Sequence, residues 1–258
     1  MLISTIIFSS IISIILGLLS FFVVSRNLEF AGTGISHAVF GGIAIGIALN
    51  INPLISALIF SIIISILIVQ SSYKQSENTA IGIIFPLSIA IGIIILVKFS
   101  KNYQDIWSYL FGNIFLIRFE DFLIFLIYSA IILIFIFLTF KKLIFISFHK
   151  ELAQASGTNV KFYDYLFFII LSIGIVLSSK LLGIILATSF LVIPSAISFN
   201  LFKGVIKNLI FSSIFALTFT IMGIILSYIF DIPTGSTIVL ISSIFYLLTT
   251  FRSKVQFR

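Results

Sequence analysis

Few side chains in this sequence could do chemistry. Its 258 residues hold 8 acidic residues, 15 basic residues, 2 histidines and no cysteine, so thiolate catalysis and thiolate metal sites are excluded. His37 stands out, in the run EFAGTGISHAVFGGIAIGIAL. It lies near the start of an apolar stretch, where an ionisable group is costly and marks a functional candidate by default. A neutral imidazole is a common ligand for zinc and related transition metals. The same ring could equally serve the fold by bonding a backbone carbonyl. His149 falls in a polar connecting segment, where solvation accounts for it.

Small residues surround His37. Ala38, Gly42 and Gly46 recur every four positions, which puts them on one helical face. Such a face lets helices pack closely in lipid. It serves ordinary packing, or it lets a histidine-bearing helix lie close beside a translocation path. Gly32 and Gly34 could make the start of that helix irregular, which membrane depth tolerates only where backbone is buried in protein or lines a cavity. Pro86 and Pro194 sit inside apolar runs and can each bend a helix and free a carbonyl. DIPTG at 231–235 reads as an outer turn before the last apolar run. Its Asp231 could meet cations or simply build the turn.

Several enzyme classes lack the residues they need. There is no G-x-x-x-x-G-K-[ST] loop, no H-E-x-x-H and no G-x-S-x-G, so one mode of nucleotide binding and two hydrolase readings lose their motif. No apolar run carries the several acids of a proton relay. No nucleophile is paired with a base and an orienting group. The chain is expected not to be an enzyme.

The elements that must position His37 are membrane helices. The composition is 60% hydrophobic and 9% charged, with a mean hydropathy of +1.32. A soluble domain is about 45–50% apolar and about 25% charged, so this chain has too little polar surface to coat itself in water. Its apolar runs approach the roughly 20 residues that cross a hydrocarbon core, and they are continuous, unlike the alternating segments of a barrel. The fold class is therefore all-α: a polytopic transmembrane bundle of eight or nine spans, forming one domain over 1–258. Candidate spans are 2–24, 36–50, 53–70, 79–98, 122–140, 165–179, 181–199, 209–230 and 237–251. The first has no basic residue before it and no cleavage pattern after it, so it reads as a retained span and not as a signal peptide.

Net charge is +7. The basic residues cluster at span ends, which points to topology and not to nucleic acid. With the N-terminus outside, nine spans and 141–164 in the cytoplasm, 11 of the 15 basic residues lie inside, as the positive-inside rule requires. Residues 99–121 carry the only Trp together with Tyr103 and Tyr109, which favours a short helix at the outer headgroup level. Residues 141–164 contain HKELAQAS followed by Gly157: a run of good helix formers with a C-terminal cap. They predict a short cytoplasmic helix lying across the membrane face.

Six segments together resemble one family, the permease subunits of ABC transporters for zinc, manganese and iron. They are FAGTGISHAVFGGIAIG around His37, ENTAIGIIF at 77–85, WSYLFGNI at 107–114, KELAQASGTNV at 150–160, KLLGIILATSFLVIPSAIS at 180–198 and LSYIFDIPTGSTIVL at 226–240. They occur in the family's order from about residue 17 to 250.

The resemblance implies a transmembrane permease of an ATP-driven importer of divalent metal ions, working in the cell membrane as a homodimer around one path. A separate cytoplasmic ATPase subunit would hydrolyse the ATP, and an extracytoplasmic binding protein would deliver the metal. The chain itself would hold no resident cofactor. His37 matches the family's metal-contacting histidine. Thr33 matches the position of its acidic partner one turn earlier, where a hydroxyl now replaces a charge. Gly34, Ala38, Gly42 and Gly46 would pack the helix near the path. Glu151, Ala153 and Gly157 match the loop that docks into the ATPase. An ion-gradient-driven secondary transporter, or a permease for a chelated metal, are the alternatives.

Overall fold

A computed structural model describes residues 2–99 and 119–253, all organised around α-helices. They are α1 (Leu2–Ser25), α2 (Glu29–Ala48), α3 (Pro53–Ser72), α4 (Glu77–Phe99), α5 (Phe119–Phe148), α6 (Lys150–Ala155), α7 (Val160–Leu181), α8 (Ile184–Phe190), α9 (Ile193–Leu201), α10 (Val205–Phe230) and α11 (Thr234–Ser253). Among the described residues nine segments are long and apolar enough to cross a membrane, α8 and α9 together making the seventh, Ile184–Leu201. The outer helix expected within 99–121, and the segment WSYLFGNI, fall outside the described residues apart from their flanks.

Local chemistry sets the helix ends. Asn52 caps α3 by accepting from the N–H groups of Leu54 and Ile55, with Pro53 at the first helical position. Asn159 caps α7 through Phe162 N–H. Four helices stop at a residue of positive φ: Asn27 (55°), Asn50 (54°), Gly157 (81°) and Asp231 (52°). After α1, Leu28 N–H bonds Val23 C=O and Asn27 N–H bonds Val24 C=O. After α2, Ile51 and Asn50 repeat the pattern onto Gly46 and Ile47. This is the Schellman stop, in which a left-handed residue turns the chain back and satisfies orphan carbonyls.

The stop at Asn27 corrects the second span. It was expected at 36–50 with an irregular glycine start, yet α2 is regular from Glu29. Glycines disfavour an isolated helix, but Gly32 and Gly34 are packed here, and Glu29 in the first turn suits the helix dipole. His37 is therefore the ninth residue of a 20-residue helix, near its middle and not near its start. The fifth span likewise continues through Lys141 and Lys142 to Phe148, so the loop expected over 141–164 is shorter. The sixth and eighth spans begin earlier than expected, at Val160 and Val205. Pro86 stays inside an unbroken α4. Pro194 does more than bend its span: it opens a new helix after a break at Leu191 and Val192.

The core is built on α1, α2 and α7, with Leu16, Phe21, Phe22, Ile35, Phe167 and Phe190 fully buried. α2 packs on α3 and α4, α1 on α10 and α5, α3 on α7, and α10 on α11. Buried hydroxyls stitch the apolar interior: Ser195 N–H donates to Ser20 Oγ, and Ser195 Oγ to Ser212 Oγ at 2.8 Å. Large apolar side chains such as Phe137 and Leu138 face outward, as lipid-facing helices require.

Candidate functional site: a strip of α2 and a charged junction beside α6

Close backbone contact fixes α2. A Cβ on Gly42 would stand 2.5 Å from Ala57 Cα of α3, and one on Gly46 2.7 Å from Pro53 Cα. On the α4 side, a Cβ on Gly41 would meet Ser88 O at 2.6 Å, and one on Gly34 would meet Ile81 Cγ2 at 2.9 Å. Ala38 is fully buried. Small residues thus seat α2 against two neighbours at once.

What they leave open is a strip. After Glu29, the residues of α2 up to position 40 that are not buried are Phe30, Thr33, His37 and Phe40. Steps of three and four put them on one face. Phe30 and Thr33 are exposed, and His37 is half-buried with its ring 4.4 Å from that of Phe85 on α4. The structure therefore brings Thr33 and His37 together on one open face. Among the described residues, no three of His, Cys, Asp and Glu gather into a metal-binding group.

The broken span lies beside this strip. A Cβ on Gly32 would touch Leu191 Cδ1 at 2.9 Å, so the break adjoins α2 one residue from Thr33. Pro194 has no N–H for the carbonyl of Phe190, and the N–H of Ser195 goes to Ser20 Oγ. Thr188 and Ser189, both partly open, point their hydroxyls back at Ile185 C=O. The sequence reading passed over these two residues, although paired hydroxyls beside a proline inside an apolar run were a signal.

Of the coupling candidates, Glu151 and Ala153 lie on α6 and Gly157 just beyond it. Gly157 N–H bonds Gln154 C=O and Thr158 N–H bonds Ala153 C=O, the same stop seen after α1. Glu151 and Leu152 are exposed, whereas Ala153 is fully buried against Ile146 and Val160.

Next to α6 is a charged cluster that the sequence reading missed. Asp164, in the second turn of α7, pairs with Arg26 at the end of α1, each side chain 6% exposed. Its other oxygen accepts from Tyr73 Oη at 2.8 Å and lies 3.3 Å from Lys150 Nζ. Arg26 also lies over the Phe167 ring at 4.9 Å. Burial, and then the hydrogen bond that the Asp164 carboxylate accepts, push the Tyr73 phenol above its ordinary value, so it remains an O–H donor. In the sequence Arg26 is one of the basic residues at span ends. The signal was an acid placed early in an apolar run, with basic residues at the ends of neighbouring runs.

Known proteins carry the same architecture. The chain is 32% identical over 239 residues to the manganese transport system membrane protein MntC of Listeria monocytogenes, covering 92% of this chain and 85% of that protein. It is 33% identical to the manganese import system permease protein ScaB of Streptococcus gordonii, covering 95% and 89%. The solved structure described as PsaBC from Streptococcus pneumoniae in complex with Fab superposes with a TM-score of 0.83 at 31% identity, covering 95% of this chain and 89% of that one. Residues 1–253 match the ABC 3 transport family, and with nine segments among the described residues long and apolar enough to cross a membrane, on the same fold, this chain belongs to that family, as a multi-pass permease of the cell membrane.

Proposed function

We propose that this chain forms the translocation path of an ATP-driven importer of divalent transition-metal ions, manganese foremost, with iron and zinc as further candidates. The observation that carries the reading is the strip of α2 on which exposed Thr33 and half-buried His37 share one face. Two such strips facing each other across a homodimer would line one path. His37 would supply a neutral nitrogen ligand, and Thr33 a neutral oxygen in place of a carboxylate. Neutral donors hold an ion loosely, which suits a path that must also release it. The relatives named for manganese transport support the choice of metal.

ATP would be hydrolysed by a separate cytoplasmic subunit docking on α6, where Glu151 and Leu152 are exposed. Ala153 and Gly157 would shape that loop: Ala153 seats it on the bundle and Gly157 ends its helix. A binding protein outside the membrane would deliver the ion. The test is cellular metal content by mass spectrometry in cells lacking the protein, restored with the native chain or with His37→Ala, at equal membrane levels. Depletion of one metal, restored by the native chain and not by His37→Ala, supports the reading and names the substrate. Manganese, iron and zinc all restored by His37→Ala would refute it.

A further inference from the structure

The charged cluster at the cytoplasmic end has a geometry that ordinary helix packing does not require. Asp164 holds three partners from three other elements. One oxygen takes the Arg26 guanidinium of α1; the other takes the Tyr73 hydroxyl at the end of α3 and the Lys150 ammonium of α6. Tyr73 in turn receives cations on its ring, Lys150 Nζ at 5.7 Å and Lys161 Nζ at 5.3 Å from the centroid. Glu77, opening α4, lies within electrostatic reach of Lys150, Arg26 and Asp164.

Exposure divides the cluster into a buried part and a half-exposed part. Arg26 and Asp164 are each 6% exposed, while the Lys150 side chain is 50% exposed. Arg26 Nη1 is buried without a hydrogen-bond partner, so compensation of that charge falls on Asp164. A buried, hydrogen-bonded pair of this kind is costly to break. The half-exposed contact of Lys150 is weaker and screened by water. Lys150 is also the first residue of α6, one position after the turn at His149 that separates α6 from α5. A pull on α6 therefore reaches α1 through this carboxylate, whereas α3 and α7 also meet α6 directly, through Lys150 over the Tyr73 ring and Ala153 against Val160.

We infer that Asp164 is a positioning residue that ties α6, through Lys150, to the ends of α1, α3 and α7, and so passes movement of the docking helix to the helix preceding α2. The inference rests on the reading of α6 as the site where the ATPase docks. α1 leads into α2 through the turn at Asn27, so displacement of Arg26 is transmitted to the base of the His37 helix. Lys150 acts through Asp164, and Tyr73 orients the carboxylate.

The test uses the whole transporter, permease with its ATPase subunit, in proteoliposomes. ATP hydrolysis and manganese uptake are measured together and expressed as ions moved per ATP. The variants are Lys150→Gln, Asp164→Asn, the pair combined, and Asp164→Glu. Lys150→Gln and Asp164→Asn are each expected to keep ATP hydrolysis and lower ions per ATP at least about fivefold, a typical coupling effect. The combined variant is expected to lose no more than Asp164→Asn alone, because Lys150 works through that carboxylate, and Asp164→Glu to recover part of the ratio. Should Asp164→Asn fail to assemble, Lys150→Gln and Tyr73→Phe carry the test, each lowering the ratio. An unchanged ratio in Lys150→Gln, or losses that multiply in the combined variant, would overturn the inference. Absence of ATP-dependent uptake by the native complex would instead overturn the proposed function, so the two failures are distinguishable.

Discussion

The seat of α2 can be tested at Gly42. A Cβ there would stand 2.5 Å from Ala57 Cα, 3.0 Å from Phe60 Cβ and 3.0 Å from Ser56 O, against an ordinary contact of 3.4–4 Å. Two of these atoms are backbone, so α3 must retreat by about 1 Å, a gap that forfeits a quarter to a half of the dispersion well across the contact. Overpacking of this kind costs about 1–3 kcal/mol. Alanine also favours helix over glycine by roughly 0.8–1 kcal/mol, so Gly42→Ala alone would mix two effects. Gly82 on α4 provides the control, because a Cβ there meets nothing within 4 Å. The expected result is that Gly42→Ala melts below Gly82→Ala in detergent, by about 2–4 °C for each kcal/mol. Because Gly42 and His37 share one rigid helix, metal uptake should fall with it. Equal melting temperatures for the two variants would show that the close approach of α2 and α3 is not a constraint, and the reasoning would fail.

Further outcomes follow from other contacts. Thr33→Asp adds a charged oxygen ligand one turn from His37 and should raise metal retention while slowing turnover, read as bound metal after desalting and as uptake rate. Gly157→Ala has open space around the new Cβ but forces alanine to φ +81°, which costs about 1–2 kcal/mol; uptake should drop while the membrane level holds. Pro194→Ala adds an N–H at the break in span seven; because Pro194 sits in the first turn of α9, where proline is tolerated, melting should change little while transport slows, and transport at the native rate would contradict a role for the break.

Much of the fold was legible because lipid makes composition decisive. Apolar runs had to be helices, and the distribution of Lys and Arg set their alternation. The structure agrees, bringing Arg26, Tyr73, Lys150 and Asp164 to one end of the bundle. HKELAQAS and Gly157 were readable as a short capped helix because propensity and cap chemistry agreed there. The start of α2 was misread because glycine-rich sequence looks irregular in isolation, while tertiary packing against Ile81 and Leu191 makes Gly34 and Gly32 useful. Asn27 and Asn50 were visible as helix stops, asparagine being the common substitute for glycine at a left-handed cap, but neither was weighed. The Asp164 cluster was hidden for a different reason. Its members lie 138 and 91 residues apart in the chain, and only the folded bundle joins them.

The most direct measurement is ATP-dependent uptake of manganese, and then of iron and zinc singly, into proteoliposomes holding the permease and its ATPase, native against His37→Ala. The account predicts that the native complex accumulates metal only with ATP, and that His37→Ala abolishes accumulation while the ATPase stays bound. Accumulation by His37→Ala at the native rate, or by the native complex without ATP, would contradict it.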